Sequence, residues 1–143
     1  LKGYIDAQPK SIQLCHIDAV PDNFLFVTGK DGSEEIKLTD WEYAGMQDPH
    51  LDVAMFIIYA MYDRDSAEKL IDLYFSDGCD KATRLKIYCY IAVSGLVWSN
   101  WCEFKRHCGV EFGAYAQRQY DYAREYTKIF FKEYREAFGR DYV

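Results

Sequence analysis

Apolar positions along the chain follow two regimes that meet at Asp48-Pro49. Ahead of that point they come in short runs; beyond it they recur at helical spacing. In the first part, NFLFVT and EIKLTDW flank GKDGSE, whose glycines and Asp31 favour a turn, and the three predict a β hairpin. In the second part the pattern predicts helices over Leu51 to Arg64, Ser66 to Phe75, Lys81 to Arg106 and Tyr115 to Phe138. Gly78 and Gly109 suit helix ends, Asp65 with Glu68 resembles a capping box, and Asp52 reads as a helix cap or as a brace on the loop before the hairpin. The opening LKGYIDAQPK reads as the tail of a helix followed by a loop, so the chain is expected to be a fragment of something longer. The expected fold is α+β, mainly α, in one domain over residues 1–143: a hairpin region (1–48) and a helical region (49–143).

One segment breaks its own pattern. LCHIDAVPDNFLFV begins and ends as a buried strand would, yet its middle holds His16, Asp18, Pro21, Asp22 and Asn23. Polar groups left unpaired in a core cost several kcal/mol each, so this interruption must be a loop whose side chains have other partners. If Leu25 and Val27 face the core together with Ile36 and Leu38, Leu25 pairs with Leu38 and Val27 with Ile36. That register sets Asn23 opposite Asp40 at the open end of the hairpin, with Cβ atoms about 4.5–5.5 Å apart. Two oxygen donors at that spacing suit Mg2+, which commonly takes one or two protein oxygens plus phosphates and water. Asp18 lies in the loop five residues before Asn23, near the same ion. The spacing H-x-D-x-x-x-x-N followed by a strand-terminal Asp is the arrangement a phosphotransfer site needs. A satisfied loop of Asx turns is the plainer alternative for His16, Asp18 and Asn23 taken alone. Glu42 reads as a second-layer group or as merely exposed.

Composition narrows the partners. Seventeen basic against 23 acidic residues give a net charge of −6, which argues against nucleic acid and favours cationic ligands. Five cysteines, odd in number and without a C-x-x-C pair, read as reduced thiols of a cytoplasmic protein. The longest apolar run, Ile87 to Trp98, is too short to cross a bilayer, so no membrane partner is expected.

LCHIDAVPDNFLFV, followed by LTDWEYAGMQDPHLDVA, resembles the catalytic and metal-binding segments of choline/ethanolamine kinases within the aminoglycoside-phosphotransferase-like kinases. VEFGAYAQRQYDYA and the tryptophan pair in VWSNW resemble their substrate segments. The resemblance implies the C-terminal lobe of a protein-kinase-like fold and an ATP- and Mg2+-dependent phosphotransferase acting on choline. It implies Asp18 as catalytic base, His16 as the brace of its loop, and Asn23 and Asp40 as Mg2+ ligands. Two positions depart from the pattern. Ile17 stands where these kinases often have Asn or Gly, a change expected to alter packing only. Tyr59 stands where eukaryotic members place a pocket glutamate, which puts the charge complementarity of the pocket in question.

A quaternary ammonium has no N–H to donate, so aromatic faces must recognise it. Trp98 and Trp101 are three apart and share one side of a helix, and Phe112 and Tyr115 follow across Gly109. With Tyr59 they form the expected cage. Aromatic stripes in a chain that is 17% aromatic also serve as core, which is the reading for Tyr88, Tyr90, Phe130 and Phe131. No glycine-rich phosphate loop occurs, so the chain is expected to work with its own N-terminal nucleotide lobe. Kinases of ethanolamine or an aminoglycoside, or a choline-binding lobe without turnover, are the alternatives.

Overall fold

The computed structural model describes residues 1–143. A short helix α1 (Lys2–Ala7) leads into strand β1 (Gln13–Cys15). A hairpin of β2 (Phe24–Thr28) and β3 (Glu34–Leu38) follows, and then β4 (Gly45–Gln47). Four helices complete the chain: α2 (His50–Tyr59), α3 (Arg64–Tyr74), α4 (Lys81–His107) and α5 (Ala114–Phe138). The mainly helical chain with two small sheets matches the expected class.

The strands form two separate antiparallel pairs, β1 with β4 and β2 with β3. The first pair, three residues on each side, is too short to announce itself in the sequence. It closes the base of the stretch 16–44, which carries both Asp18 and the hairpin, since Cys15 pairs with Gly45.

The hairpin register differs from expectation by one residue. Phe24 pairs with Leu38 and Phe26 with Ile36, while Leu25 faces Lys37 and Val27 faces Glu35. Phe24 turns inward and meets Phe56 of α2 edge-on at 5.3 Å. In FLFV all four side chains are apolar, so alternation alone does not choose the register; Phe24 packs half-buried on α2, while Phe26 on the same face stays exposed. Asn23 therefore lies level with Thr39, whose N–H and Oγ1 both bond the Asn23 carbonyl, at 3.0 and 3.2 Å. Asp40 is one residue farther on.

The core is built from α2, α4 and α5, with Ile57, Ile58, Leu85, Ile87, Ile91, Tyr122, Tyr126 and Phe130 among its fully buried members. At Gly95 the α4–α5 crossing leaves no room for a side chain: an added Cβ would lie 2.7 Å from the Gln119 carbonyl oxygen.

Two helix starts and one end correct the sequence reading. α2 stops at Tyr59 rather than near Arg64, because Met61 takes a left-handed conformation (φ 51°). Arg118 and Tyr122 then hold the Tyr62 carbonyl. α3 is capped by Asp63, whose carboxylate accepts the Ser66 N–H at 2.9 Å, so the Asp65–Glu68 box does not form. α2 has no side-chain cap, and Asp52 is directed elsewhere. Gly78 (φ 91°) and Gly109 (φ 86°) follow α3 and α4 in left-handed geometry, as expected of helix ends.

Candidate active site

Asp18 sits on a loop that is tied down from several sides. Asp52, in the first turn of α2, receives the backbone N–H groups of His16 and Ile17 on its two carboxylate oxygens, each at 2.8 Å. His16 is 2% exposed; its Nε2–H donates to the Thr39 carbonyl at 2.7 Å, and Trp41 packs edge-on against its ring at 4.8 Å. The brace on this loop is thus made of both residues, His16 through its ring and Asp52 through its carboxylate.

Ile17 holds φ 69°, a conformation that costs a β-branched residue about 1–2 kcal/mol. Its departure from Asn or Gly thus loads the backbone as well as the packing. The paired amide bonds to Asp52 hold the strained residue in place.

Beyond Asp18 the chain folds tightly back. The Asp18 carbonyl accepts from Val20 N–H at 2.8 Å and from the Asn23 side-chain amide at 3.1 Å. With its NH2 so anchored, Asn23 keeps its amide oxygen for another partner. Asp40, at φ 63°, precedes a short 3-10 turn (Trp41–Tyr43) and its carboxylate caps nothing there. One amide oxygen and one carboxylate make the hard oxygen donor set that Mg2+ accepts, and the Thr39–Asn23 bonds keep the two residues on adjoining segments. No group of three or more His, Cys, Asp or Glu side chains is placed to hold a metal alone, so an ion here needs phosphates and water to complete its shell.

A cavity of about 850 Å³ opens beside Asp18. Its far wall is aromatic: Tyr59, Trp98, Trp101, Phe112 and Tyr115 all line it. The rings follow one another in contact, with centroids 5.6 Å apart for Tyr59–Trp98, 5.0 Å for Trp98–Trp101, 5.3 Å for Trp101–Phe112 and 6.5 Å for Phe112–Tyr115. Trp98 and Trp101 come from α4, Tyr115 from the start of α5, and Phe112 from the turn between them. Lys105, which is not part of the lining, lies 5.6 Å over the Trp101 ring. Asp22 and Glu42 add carboxylates to the lining. Tyr43 and Met55 also line it and escaped the sequence reading; Tyr43 sits two residues past Trp41 in a stretch read only for its acids.

Tyr59 joins the aromatic lining to the loop, its O–H donating to Asp18 Oδ1 at 2.6 Å. Burial, with the Asp18 carboxylate beside it, pushes the Tyr59 phenol far above its ordinary value; burial does the same to Tyr115. Both stay neutral, and Tyr59 remains a donor at any physiological pH.

Comparisons with known proteins show what the chain as a whole is similar to. Protein LicA of Haemophilus influenzae is 30% identical over 121 residues, covering 76% of this chain and 41% of that protein. A choline/ethanolamine kinase family protein from Mesorhizobium loti is 26% identical, with TM-score 0.73 over 89% of this chain and 43% of its own. Choline kinase LicA from Streptococcus pneumoniae is 27% identical, with TM-score 0.67 over 90% of this chain and 44% of its own. LicA in complex with AMP superposes with TM-score 0.68. The chain thus spans less than half the length of these relatives. Residues 2–88, which include Asp18, Asn23, Asp40 and Asp52, match the model of the APH phosphotransferase enzyme family, and the chain belongs to that family.

Proposed function

We propose that the protein carrying this chain transfers the γ-phosphoryl group of ATP to the hydroxyl of choline. The observation that supports this most is the sharing of one cavity by a braced carboxylate, Asp18, and a row of aromatic faces. A carboxylate beside aromatic walls suits a molecule that is an alcohol at one end and a bulky cation at the other. The choline hydroxyl oxygen attacks phosphorus, the bond from phosphorus to the departing ADP oxygen breaks, and the hydroxyl proton passes to Asp18. Asn23 and Asp40 are the residues that would hold Mg2+, which when bound neutralises charge on the nucleotide phosphates. His16 and Asp52 keep the Asp18 loop in place, while Trp98, Trp101 and Tyr115, with Phe112 and Tyr59, hold the trimethylammonium group. Glu42 and Asp22 act through charge at the lining.

Each cation–π contact contributes about 0.5–2 kcal/mol, and three or four of them suffice for micromolar to millimolar binding after association costs. A nucleotide-binding lobe is proposed to sit on the hairpin side, where Phe26 and Ile36 are 82% and 63% exposed.

The test is phosphate transfer from Mg-ATP across a panel of choline, ethanolamine and aminoglycosides, using the full-length protein. Choline is expected to have the highest kcat/KM. Trp98→Ala should raise the choline KM by about tenfold, because the ring acts on the cation. A preference for another alcohol, or an unchanged KM in that variant, contradicts the choline reading.

A further inference from the structure

We propose that Tyr59 is the positioning residue for the Asp18 carboxylate: by donating its phenol O–H to Oδ1 it fixes which oxygen, Oδ2, is turned to the substrate hydroxyl. The proposal rests on Asp18 being the base. The main chain of Asp18 is held by the two bonds to its carbonyl, from Val20 N–H and the Asn23 amide. The carboxylate itself is free to turn, since rotation about a terminal sp3–sp2 bond is broad and roughly two-fold. Within the chain its one hydrogen bond is the 2.6 Å contact from Tyr59.

Tyr59 is well placed to impose an orientation. It is the last residue of α2, the helix whose first turn carries Asp52, so one rigid element grips the loop backbone at one end and the carboxylate at the other. Its ring leans on Trp98 at 5.6 Å, which fixes the phenol's approach from the aromatic wall. A carboxylate in this place would repel Asp18; the phenol donates to it. The same side chain therefore serves as a wall for the cation and as a clamp on the group that takes the proton.

The two roles separate experimentally in the full-length protein. Tyr59→Phe keeps the ring and removes the O–H. It is expected to lower kcat for choline about tenfold, the scale of one hydrogen bond to a charged group, while leaving KM within about twofold. Choline affinity read from tryptophan fluorescence should be equally unmoved, which also reports an intact fold. Tyr59→Ala removes the wall as well, and should raise KM and weaken binding on top of the same loss in kcat. A Phe variant with wild-type kcat, or one whose loss lies in KM and binding, overturns the positioning role. Asp18→Asn run alongside tells the two readings apart: wild-type turnover there removes the base on which the proposal rests, whereas an inactive Asn variant beside an unaffected Phe variant rejects Tyr59 alone.

Discussion

Asp52 holds two successive backbone amides with one carboxylate, and between them they fix a residue that the backbone resists, Ile17 at φ 69°. Bonds to a charged acceptor are stronger than neutral ones, so this single side chain governs the loop. Asp52→Asn keeps one acceptor oxygen and turns an NH2 group toward the other amide. The variant should lose about 1–3 kcal/mol in denaturant unfolding, with faster amide exchange at His16 and Ile17. Wild-type stability and exchange would show that other contacts hold the loop. At this scale much is legible in the sequence: acid, amide and indole identities and their spacings single out Asp18, Asn23, Trp98 and Trp101. The left-handed backbone at Ile17 is not, because a β-branched residue resists it and only tertiary bonds impose it; Asp40 is of a type that tolerates it, but nothing local marks the position. Nor is the Tyr59–Asp18 bond legible, made between residues 41 apart in sequence.

Among the elements, the helices were clearest, since α4 and α5 run long enough for their period to show. Their ends were less so. α2 terminates early through a carbonyl captured by side chains of α5, a contact no local pattern announces. The hairpin register slipped by one because apolar side chains stand on both faces of FLFV. The segment leading into α2 is joined to α4 by a buried ion pair: Lys86 Nζ lies 2.7 Å from Asp48 Oδ2, both side chains 3% exposed, and the same ammonium donates to the Pro9 carbonyl. Burial alone would raise the Asp48 pKa, but the Lys86 ammonium and the His50 N–H hold it below the usual 3.8. Burial, with Lys86 nearby, depresses His50 below 6.5.

The signs agree. Neutral His50 contributes stability above pH 6.5 that is lost as pH falls through its lower folded value, and ionised Asp48 contributes stability above 3.8 that is lost through its own lower value. The melting temperature should decline in two stages on acidification, with the first stage missing in His50→Gln. A profile flat from pH 6.5 to 4, or identical in the variant, would contradict this. Lys86→Met, which strands the Asp48 charge, should cost about 3–5 kcal/mol at neutral pH.

Over the whole molecule, an acidic chain with net charge −6 presents one large aromatic-walled cavity beside a braced carboxylate. The family and the general layout could be read from four sequence segments. The cavity could not, because its walls come from the Asp18 loop, the segment after Asp40, α2, α4 and the start of α5, which only the tertiary fold brings together. None of the five cysteines is in a disulfide, and no helix is long and apolar enough to cross a membrane. The central claim is that Asp18 receives the proton of an alcohol whose cationic end lies among Trp98, Trp101 and Tyr115. The most direct test is single-turnover transfer of labelled γ-phosphate to choline by the full-length protein and its Asp18→Asn variant. Loss of transfer by about a hundredfold or more in the variant, with choline still quenching tryptophan fluorescence at the same concentrations, is the result predicted. Transfer at the wild-type rate in that variant would contradict the account.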